Sequence, residues 1–164
     1  MKKIRVGQGF DVHRFKSGRL LKLCGLTLPG ETGLDGHSDA DVGLHAVTDA
    51  ILGAVAQGDI GEHFPDSDPR WMEADSSVFV ARAIEIAAAE GFAIINCDLT
   101  FVGQRPRIIP YREDLRDSLA EILGIPMSVV SVKATTTEGL GFVGRSEGLA
   151  ALAMVLLAEE PRHE

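Results

Sequence analysis

Cysteine and long apolar runs are both scarce in this sequence of 164 residues. The two cysteines, Cys24 and Cys97, lie apart in apolar surroundings, which favours buried thiols in a reducing compartment over a disulfide framework. The longest apolar run, Gly148–Ala158, is shorter than the roughly 18–20 residues of a membrane span. The first residues lack the apolar core of a signal peptide and the composition of a transit segment. We therefore expect a cytoplasmic protein with no membrane partner.

Positive charge is also in deficit, because 16 lysines and arginines face 24 aspartates and glutamates, for a formal net charge of −8. Binding to nucleic acid without sequence preference needs a basic face, so this composition argues against a nucleic-acid partner. A phosphorylated small molecule is still compatible with the charge, since a bound metal ion can supply positive charge locally.

The length suits one domain, which we take to be residues 1–164. The predicted strands are Ile4–Phe15, Leu20–Leu28, Ala93–Val102 and Val129–Thr135. The predicted helices are Asp41–Gln57, Ala74–Glu90 and Pro110–Leu123, and the predicted loops are Glu31–Asp39 and Gly58–Arg70. The last apolar run fits either a helix or a buried strand. Because strands and helices mix without strict alternation, we expect an α+β fold: a ferredoxin-like sandwich with a mixed β-sheet and helices on one face.

Asp11 and His13 lie at positions i and i+2 of the first predicted strand, so their side chains project from the same face. Two ligands of one metal ion must converge in this way. The pair also fits the end of a strand with two exposed polar groups, and its spacing alone does not decide between these interpretations.

The strongest predicted helix follows a run of acidic residues and histidines. His45 lies one turn beyond Asp41 on the polar side of this helix, where a single histidine is usually an ordinary surface or core residue. With Asp11 and His13 it forms a set of one carboxylate and two imidazoles, which are donors that suit Zn²⁺. Three protein ligands leave one coordination position free, as is typical of catalytic rather than structural zinc.

His37 and Ser38 come just before this helix. Backbone N–H groups at a helix N-terminus, together with a hydroxyl and an imidazole, favour a phosphate site. The alternative is a serine that caps the helix beside a solvated histidine.

Two further segments carry groups that suit phosphate. In Lys133–Phe142, the hydroxyls of Thr135–Thr137 offer donors and Glu138 offers a carboxylate for a hard cation such as Mg²⁺. Gly103–Ile109 leaves a strand with two arginines. Each segment also fits an ordinary strand end followed by a solvated turn.

Together these segments resemble the 2-C-methyl-D-erythritol 2,4-cyclodiphosphate synthase family. The matching blocks are GQGFDVH (7–13), HSDADVGLHA (37–46), GDIGEHFPDSD (58–68) and KATTTEGLGF (133–142). The resemblance implies a phosphorus–oxygen lyase of the methylerythritol phosphate route to isoprenoids. Such an enzyme cyclises 4-diphosphocytidyl-2-C-methyl-D-erythritol 2-phosphate and releases CMP. It also implies a homotrimer of α+β subunits with active sites at the subunit interfaces, and makes the last apolar run a strand.

The resemblance implies Zn²⁺, or another divalent transition metal, on the three ligands inferred above from the strand and the helix. It makes His37 and Thr136 transition-state stabilisers and brings Glu138 near Mg²⁺ or Mn²⁺ that accompanies the substrate phosphates. Substrate contacts are implied for Asp11, Val12, His13, His37, Ser38, Thr135, Thr136, Thr137, Glu138, Phe142 and Arg145. A loop over the methylerythritol unit would contain Asp59, Ile60, Gly61, Phe64, Pro65, Asp66, Ser67 and Asp68. The cytidine end would contact Gly103, Gln104, Arg105, Pro106, Arg107, Ile108 and Ile109.

The sequence departs from the family pattern at two positions. Arg107 stands where lysine is frequent, which keeps the charge but changes the donor geometry. Ser146 stands where glycine is common, next to residues that line an axial cavity in the trimer and can hold an isoprenoid diphosphate. The residues of this cavity would be Phe10, Arg145 and Glu147.

In the implied reaction the substrate's own 2-phosphate is the nucleophile, which agrees with the lack of a Ser-His-Asp or reactive-cysteine motif. Two other functions fit part of the sequence. A zinc-dependent nucleotide phosphodiesterase would use water as nucleophile and release a linear product. A non-catalytic protein that binds isoprenoid diphosphates would use the metal ligands but would not need Lys133–Phe142 or the cytidine segment.

Overall fold

A four-stranded mixed sheet is the frame of the structure, a computed structural model that describes residues 3–160. Residues 1–2 and 161–164 of the predicted domain lie outside the described residues. The strands are β1 (Ile4–Arg14), β4 (Phe92–Val102), β5 (Val130–Thr135) and β6 (Gly148–Glu159), and they lie side by side in the order β1-β6-β4-β5. The short strands β2 (Leu21–Leu23) and β3 (Leu26–Leu28) form a separate hairpin.

Three helices of twelve or thirteen residues accompany the sheet: α1 (Val42–Ala54), α3 (Ser77–Ala89) and α4 (Arg112–Leu123). Two helices of four residues each, α2 (Ile60–His63) and α5 (Gly141–Gly144), lie in connecting segments. None of the helices within residues 3–160 is long and apolar enough to cross a lipid bilayer.

The side chains of β6 show which face of the sheet is covered. Leu149, Ala153 and Leu157 are buried, whereas Met154, which points to the opposite face, is 51% exposed. Because side chains alternate along a strand, one face of the sheet packs on the helices and the other is open. The core therefore lies between the sheet and α1, α3 and α4.

This architecture confirms the expected α+β fold with helices on one face, and it shows the last apolar run to be the strand β6. The expected mixed sheet is confirmed, because β4 and β5 are parallel whereas β6 is antiparallel to both β1 and β4. The parallel pair departs from the antiparallel sheet of a strictly ferredoxin-like sandwich. Parallel neighbours need a crossover connection, and α4 provides it here.

The predicted second strand is wrong in detail. Residues 20–28 form the β2–β3 hairpin because the chain turns at Cys24 and Gly25, whose φ angles are 50° and 80°. Positive φ at two successive turn residues is typical of tight hairpins. Both cysteines are buried and free, as predicted, and burial raises the pKa of each thiol, that of Cys97 to about 12.

One other expectation needs correction. The predicted loop 58–70 contains α2 and a short 3-10 helix, Pro69–Trp71, because Asp59 and Asp68 cap these turns with their side chains.

The polar side of α1 is partly buried. Thr48 on this side is fully buried, and its hydroxyl donates to the Leu44 carbonyl at 2.8 Å. A buried threonine can find its hydrogen-bond partner within its own helix in this way.

Glycines at two positions of β1 determine how closely α1 approaches the sheet. A Cβ atom on Gly7 would collide with the carbonyl oxygen of Ala50, and one on Gly9 would collide with that of Ala46. Both colliding atoms are helix backbone, which cannot turn away as a side chain can. The close packing of α1 on β1 therefore requires glycine at both positions.

We expect Gly9→Ala to lower the free energy of unfolding by about 1–3 kcal/mol or more, because α1 must move outward to admit the methyl group. Gly53→Ala is the matched control. Gly53 is an exposed residue of α1, and a Cβ atom added to it would come no closer than 3.9 Å to the Gln8 carbonyl oxygen. Alanine favours a helix over glycine, so this control should gain about 0.5–1 kcal/mol. Urea denaturation of both variants measures the two effects, and equal changes would contradict the packing argument.

Candidate active site

One carboxylate and two imidazoles meet where β1 passes beneath α1. Asp11 and His13 lie on the face of β1 that carries the two glycines, and His45 points down from α1. The Oδ2 atom of Asp11 is 2.9 Å from Nε2 of His13 and 3.0 Å from Nδ1 of His45. The two histidine nitrogens are 3.0 Å apart. The strand spacing and the helix position therefore converge as predicted.

The geometry of this group fits a metal ion. In a tetrahedral site with bonds of about 2.0–2.2 Å, ligand atoms lie roughly 3.3–3.6 Å apart, so a small outward shift would admit the ion. His13 is already oriented for this role, because its Nδ1 atom is 2.7 Å from the carbonyl oxygen of Asp35. A proton on Nδ1 donated to that oxygen leaves Nε2 free as a ligand.

Hydrogen bonds and charge interactions within the metal-ligand group shift the pKa values of Asp11 and His13. Burial acts to raise the pKa of Asp11, but hydrogen bonds and charge interactions with His13 and His45 outweigh it and lower this pKa well below its usual value. Burial acts to lower the pKa of His13, but its hydrogen bond and charge interaction with Asp11 outweigh burial and raise it. The site therefore favours an ionised carboxylate beside a proton or another cation.

His37 and Ser38 lie beside the metal-ligand group in a cavity of about 460 Å³, which we call the metal pocket. The Nε2 atom of His37 is buried and has no hydrogen-bond partner among residues 3–160. A buried donor without a partner is costly in a folded protein, so this atom is available to a ligand of the pocket.

The alternative interpretation of Ser38, as the cap of α1, is wrong. Asp41 caps the helix, accepting from the Leu44 backbone N–H at 3.0 Å and from the Gly25 N–H at 2.7 Å. The Ser38 hydroxyl instead accepts a hydrogen bond from the Ala40 backbone N–H. A ligand of the pocket would therefore meet the side chains of residues 37 and 38, while the helix end is already closed by a buried carboxylate.

Three aromatic rings form one wall of the metal pocket. Phe64 lies 4.6 Å from Phe79 and 5.2 Å from Trp71, measured between ring centroids. The indole Nε1 of Trp71 is buried and has no partner within the described chain. Trp71 and Phe79 were missed as pocket residues, and the only signal in the sequence was their aromatic character close to the predicted loop.

The predicted loop over the metal pocket divides into lining residues and residues that hold the loop in shape. The lining residues are Ile60, Gly61, Phe64, Pro65 and Asp66. Asp59 and Asp68 act as caps, and Asp68 also forms an ion pair with Arg70 at 2.6 Å. Ser67 is exposed and does not line the pocket. The loop is tied to α1 by Asp49, which accepts from the backbone N–H of Ile60 at 2.7 Å.

The predicted cytidine segment lines a separate cavity of about 700 Å³, the nucleotide pocket, together with Thr135 and Thr136. Its residues there are Gly103, Gln104, Pro106, Arg107, Ile108 and Ile109. Arg105 points elsewhere, because its guanidinium stacks on the Phe15 ring at 4.3 Å and donates to the Thr32 hydroxyl at 3.2 Å.

The remaining predicted residues lie near the end of β5 and in a third cleft. The Thr136 hydroxyl donates to Glu138 at 3.1 Å, while the Thr137 hydroxyl donates to the Leu140 carbonyl. Phe142 lines a cleft of about 910 Å³ that also contains Val12. Within one chain, the metal pocket and the nucleotide pocket have no lining residue in common.

The backbone conformation at Ser146 is one that glycine adopts more readily than other residues. Ser146 has a φ angle of 57°, a left-handed conformation that favours glycine. Arg145 and Glu147 on either side of it form an ion pair at 2.6 Å. Ser146 therefore has the left-handed conformation, and the ion pair between its two neighbours is present.

Comparisons with known proteins cover nearly the whole chain. The model of the YgbB family matches residues 4–158. A protein named bifunctional enzyme IspD/IspF, from Hyphomonas neptunium, is 56% identical over 153 residues, which is 93% of this chain and 40% of that protein. The chain thus spans about two fifths of the length of this relative.

A second relative has nearly the same length as this chain. It is named 2-C-methyl-D-erythritol 2,4-cyclodiphosphate synthase, from Cereibacter sphaeroides, and is 54% identical over 156 residues, covering 95% of this chain and 98% of that protein. The solved structure of an IspF–CDP complex from Plasmodium falciparum has a TM-score of 0.85 and 30% identity, and the match covers 98% of this chain and 99% of that one. The match to residues 4–158 and the identity above one half to full-length and bifunctional relatives alike show that this chain belongs to the YgbB family.

Proposed function

We propose that this chain is a 2-C-methyl-D-erythritol 2,4-cyclodiphosphate synthase and that residues 1–164 act as one synthase domain. The observation that carries the proposal is the group of Asp11, His13 and His45, of which the two histidines line the metal pocket together with His37. The Nε2 atom of His37 has no hydrogen-bond partner within the described chain. The name of the Cereibacter relative supports the same activity. The expectation that the protein acts in the cytoplasm stays a prediction.

In the proposed reaction, an oxygen of the substrate's 2-phosphate forms a bond to the β-phosphorus. The bond between that phosphorus and the oxygen of the CMP group breaks, and CMP leaves. Two anionic groups must approach each other, and a flexible polyol must adopt the one conformation that closes an eight-membered ring. Correct positioning of reacting groups can contribute up to about 7–11 kcal/mol, so residues that hold both ends of the substrate can account for much of the rate.

Asp11, His13 and His45 would hold a divalent transition metal, Zn²⁺ in our proposal, with two neutral donors and one anionic donor. Such an ion, when bound, offsets the negative charge that repels the two phosphates from each other. The chain itself contributes little positive charge here, since its net charge is −8. His37 would donate from Nε2 to a phosphate oxygen, which gives this buried atom the partner that it lacks within the described chain.

The nucleotide pocket would hold the cytidine end of the substrate. The Plasmodium structure is a complex with CDP, which supports a cytidine nucleotide as the occupant. Arg107 lines this pocket and would donate to a phosphate, with the planar geometry of a guanidinium in place of the lysine of other family members. The other pocket walls are mainly apolar side chains and backbone.

Thr136 would stabilise the transition state, and Glu138 would hold Mg²⁺ or Mn²⁺ together with the substrate phosphates. The hydrogen bond between them, at 3.1 Å, places the hydroxyl and the carboxylate together at the edge of the nucleotide pocket. A hydroxyl that donates to a carboxylate in the free chain can turn to a phosphate oxygen when the substrate binds.

We further propose that the chain assembles as a homotrimer. The open face of the sheet presents large apolar side chains from neighbouring strands, with Val6 60% exposed, Phe10 52% exposed and Met154 51% exposed. Adjacent exposed apolar residues on a sheet face are typical of a protein interface. Assembly would also bring the metal pocket of one chain to the nucleotide pocket of another, which completes the site that one chain alone leaves divided.

The proposed trimer would enclose an axial cavity beside Phe10 and the ion pair of Arg145 and Glu147. An apolar ring next to an exposed guanidinium suits an isoprenoid diphosphate, which has an apolar tail and an anionic head. Ser146 has the left-handed backbone conformation that favours glycine. This supports the view that serine at this position leaves the backbone beside the proposed cavity as it is in family members that have glycine.

Incubation with the proposed substrate and analysis by phosphorus NMR tests the activity. A cyclic diphosphate and free CMP are expected. A linear product would instead indicate the nucleotide phosphodiesterase, and no release of CMP in the presence of Zn²⁺ and Mg²⁺ would favour a binding protein without catalytic activity.

We expect His45→Ala to remove most of the bound zinc and to lower turnover by on the order of 10²–10³, because one of three ligands is lost. His63→Ala is the control for zinc content, since the ring of His63 contacts the Gln57 carbonyl oxygen at 2.7 Å and belongs to no metal-ligand group in the described chain. Atomic emission measures the metal. Full zinc content in the His45 variant would show that the ligand assignment is wrong.

We expect Thr136→Ala to lower kcat roughly 10²-fold and to change KM much less, because the hydroxyl would act mainly in the transition state. Thr27→Ala, which removes an exposed hydroxyl on β3, should leave both constants unchanged. Steady-state rates of CMP release measure both variants. A normal kcat in Thr136→Ala would exclude the proposed role.

We expect Met154→Glu to convert the trimer into monomers, because it places a charge in the centre of the apolar sheet face. Val78→Glu is the matched control, since Val78 is 48% exposed but lies on α3, on the other side of the molecule from the open face. Sedimentation velocity measures the assembly state. A monomeric wild-type chain, or a Met154 variant that stays trimeric, would contradict the proposed interface.

A further inference from the structure

The two ring nitrogens of His45 face different surroundings. Nδ1 belongs to the metal-ligand group, whereas Nε2 lies 2.9 Å from the hydroxyl of Ser76 and 3.1 Å from that of Ser38. A neutral imidazole carries its proton on one nitrogen and can bind a metal only through the other. For Nδ1 to act as a ligand, the proton must therefore be on Nε2.

The hydrogen bonds of Ser76 decide where this proton lies. Ser76 is fully buried, and its hydroxyl donates to Oδ1 of Asp39 at 2.5 Å. A hydroxyl has a single proton, so a serine that donates to a carboxylate can offer only lone pairs to its other neighbours. The Ser76 oxygen therefore accepts from Nε2 of His45. In a neutral imidazole this proton leaves the lone pair of Nδ1 free for a metal ion, which would take the place of the proton that Nδ1 otherwise shares with Asp11.

Ser38 is poorly suited to the same task. Its oxygen accepts from the Ala40 backbone N–H at 3.2 Å, and its residue lines the metal pocket, where a ligand can compete for the hydroxyl. Its contact with Nε2 is also the longer of the two. Ser76 does not line that pocket, so its bond to His45 is independent of the substrate.

Asp39 is held firmly enough to orient Ser76. Its two carboxylate oxygens accept from the hydroxyl and from the backbone N–H of Ser76, the latter at 3.2 Å. Oδ1 also accepts from the Asp41 N–H at 3.2 Å, and Lys22 lies 3.5 Å from Oδ2. The Asp39 side chain is only 9% exposed, which protects these bonds from water.

We propose that Ser76 and Asp39 are positioning residues for the metal centre, and that they hold His45 with its proton on Nε2 and its Nδ1 lone pair directed at the metal. This inference rests on the metal site of the proposed function. It adds a hydroxyl-bridged link from a carboxylate to a metal-ligating histidine, in place of a direct carboxylate–histidine bond.

Zinc affinity, measured by competition with a chromogenic chelator, tests the proposal. We expect Ser76→Ala to raise the Kd for Zn²⁺ by about 10–100-fold, the range typical for the loss of a group that orients a metal ligand. Asp39→Asn should also weaken binding, because the acceptor loses its charge, and Ser76→Thr should restore affinity because it keeps the hydroxyl. The absorption bands of bound Co²⁺ should differ from those of the wild type in Ser76→Ala, because the orientation of His45 changes, and should match the wild type in Ser76→Thr.

A matched control separates positioning from loss of a hydrogen bond in general. Ser118 on α4 also donates its hydroxyl within the fold, to the Cys24 carbonyl at 2.7 Å, but has no contact with the metal-ligand group. Ser118→Ala should therefore bind Zn²⁺ as the wild type does, whatever its effect on stability. Thermal unfolding of each metal-free variant checks that it is folded.

One measurement needs no variant. In the Zn²⁺-loaded wild type, proton–nitrogen NMR of the histidine rings should show a slowly exchanging proton on Nε2 of His45. Zinc bound through Nε2, or an unchanged Kd in both Ser76→Ala and Asp39→Asn, would overturn the proposal. Loss of cyclase activity is not used as a readout, so an inactive wild type that binds Zn²⁺ would contradict the proposed function without deciding the role of Ser76.

Discussion

The close contact between β1 and α1 is the constraint on which the rest of the structure depends. Gly7 and Gly9 allow the helix backbone to lie directly on the strand, and the same face of β1 then presents Asp11 and His13 further along. Since side chains alternate along a strand, the glycines that admit the helix and the two β1 residues of the metal-ligand group must all be odd-numbered or all even-numbered, and here all are odd-numbered. His45 can reach the group only because its helix approaches so closely. The close packing of α1 on β1 is therefore also what brings the three side chains of the metal-ligand group together.

Electrostatics explains how an acidic protein could bind the proposed anionic substrate at this site. The chain has a net charge of −8, yet the buried carboxylates around the site have different environments. Burial raises the pKa of Asp41, although its hydrogen bonds to backbone N–H groups act in the opposite direction. The partners of Asp11 lower its pKa despite burial. Asp11 is thus held in its charged form beside the imidazoles, where it attracts positive charge to the metal-ligand group.

Short-range patterns predicted the parts of the site that depend on local geometry. The spacing of Asp11 and His13 and the helical position of His45 were sufficient to predict that these three side chains converge, because strand and helix periodicity determine directions over a few residues. The Cys24–Gly25 turn was missed, since positive φ at a cysteine has no strong signal in the sequence. Trp71 and Ser76 were also missed, because their roles depend on a loop that folds back over a helix some thirty residues earlier. The hydroxyl of Ser76 matters only through Asp39, and no spacing rule connects those two positions.

The predicted site residues are divided between two pockets of one chain, and assembly of several copies would explain this division. Within one chain the metal pocket and the nucleotide pocket are separate and have no lining residue in common. An interface between copies joins such sites without internal movement, at the cost of the entropy of association. The exposed apolar side chains on the open sheet face are the surface whose burial can offset that cost, since burying a large apolar side chain contributes about 1.5–3 kcal/mol. On this argument, strand β1 would serve both proposed functions: its odd-numbered residues face the helix and include two of the proposed metal ligands, and its even-numbered residues would lie in the proposed interface between copies.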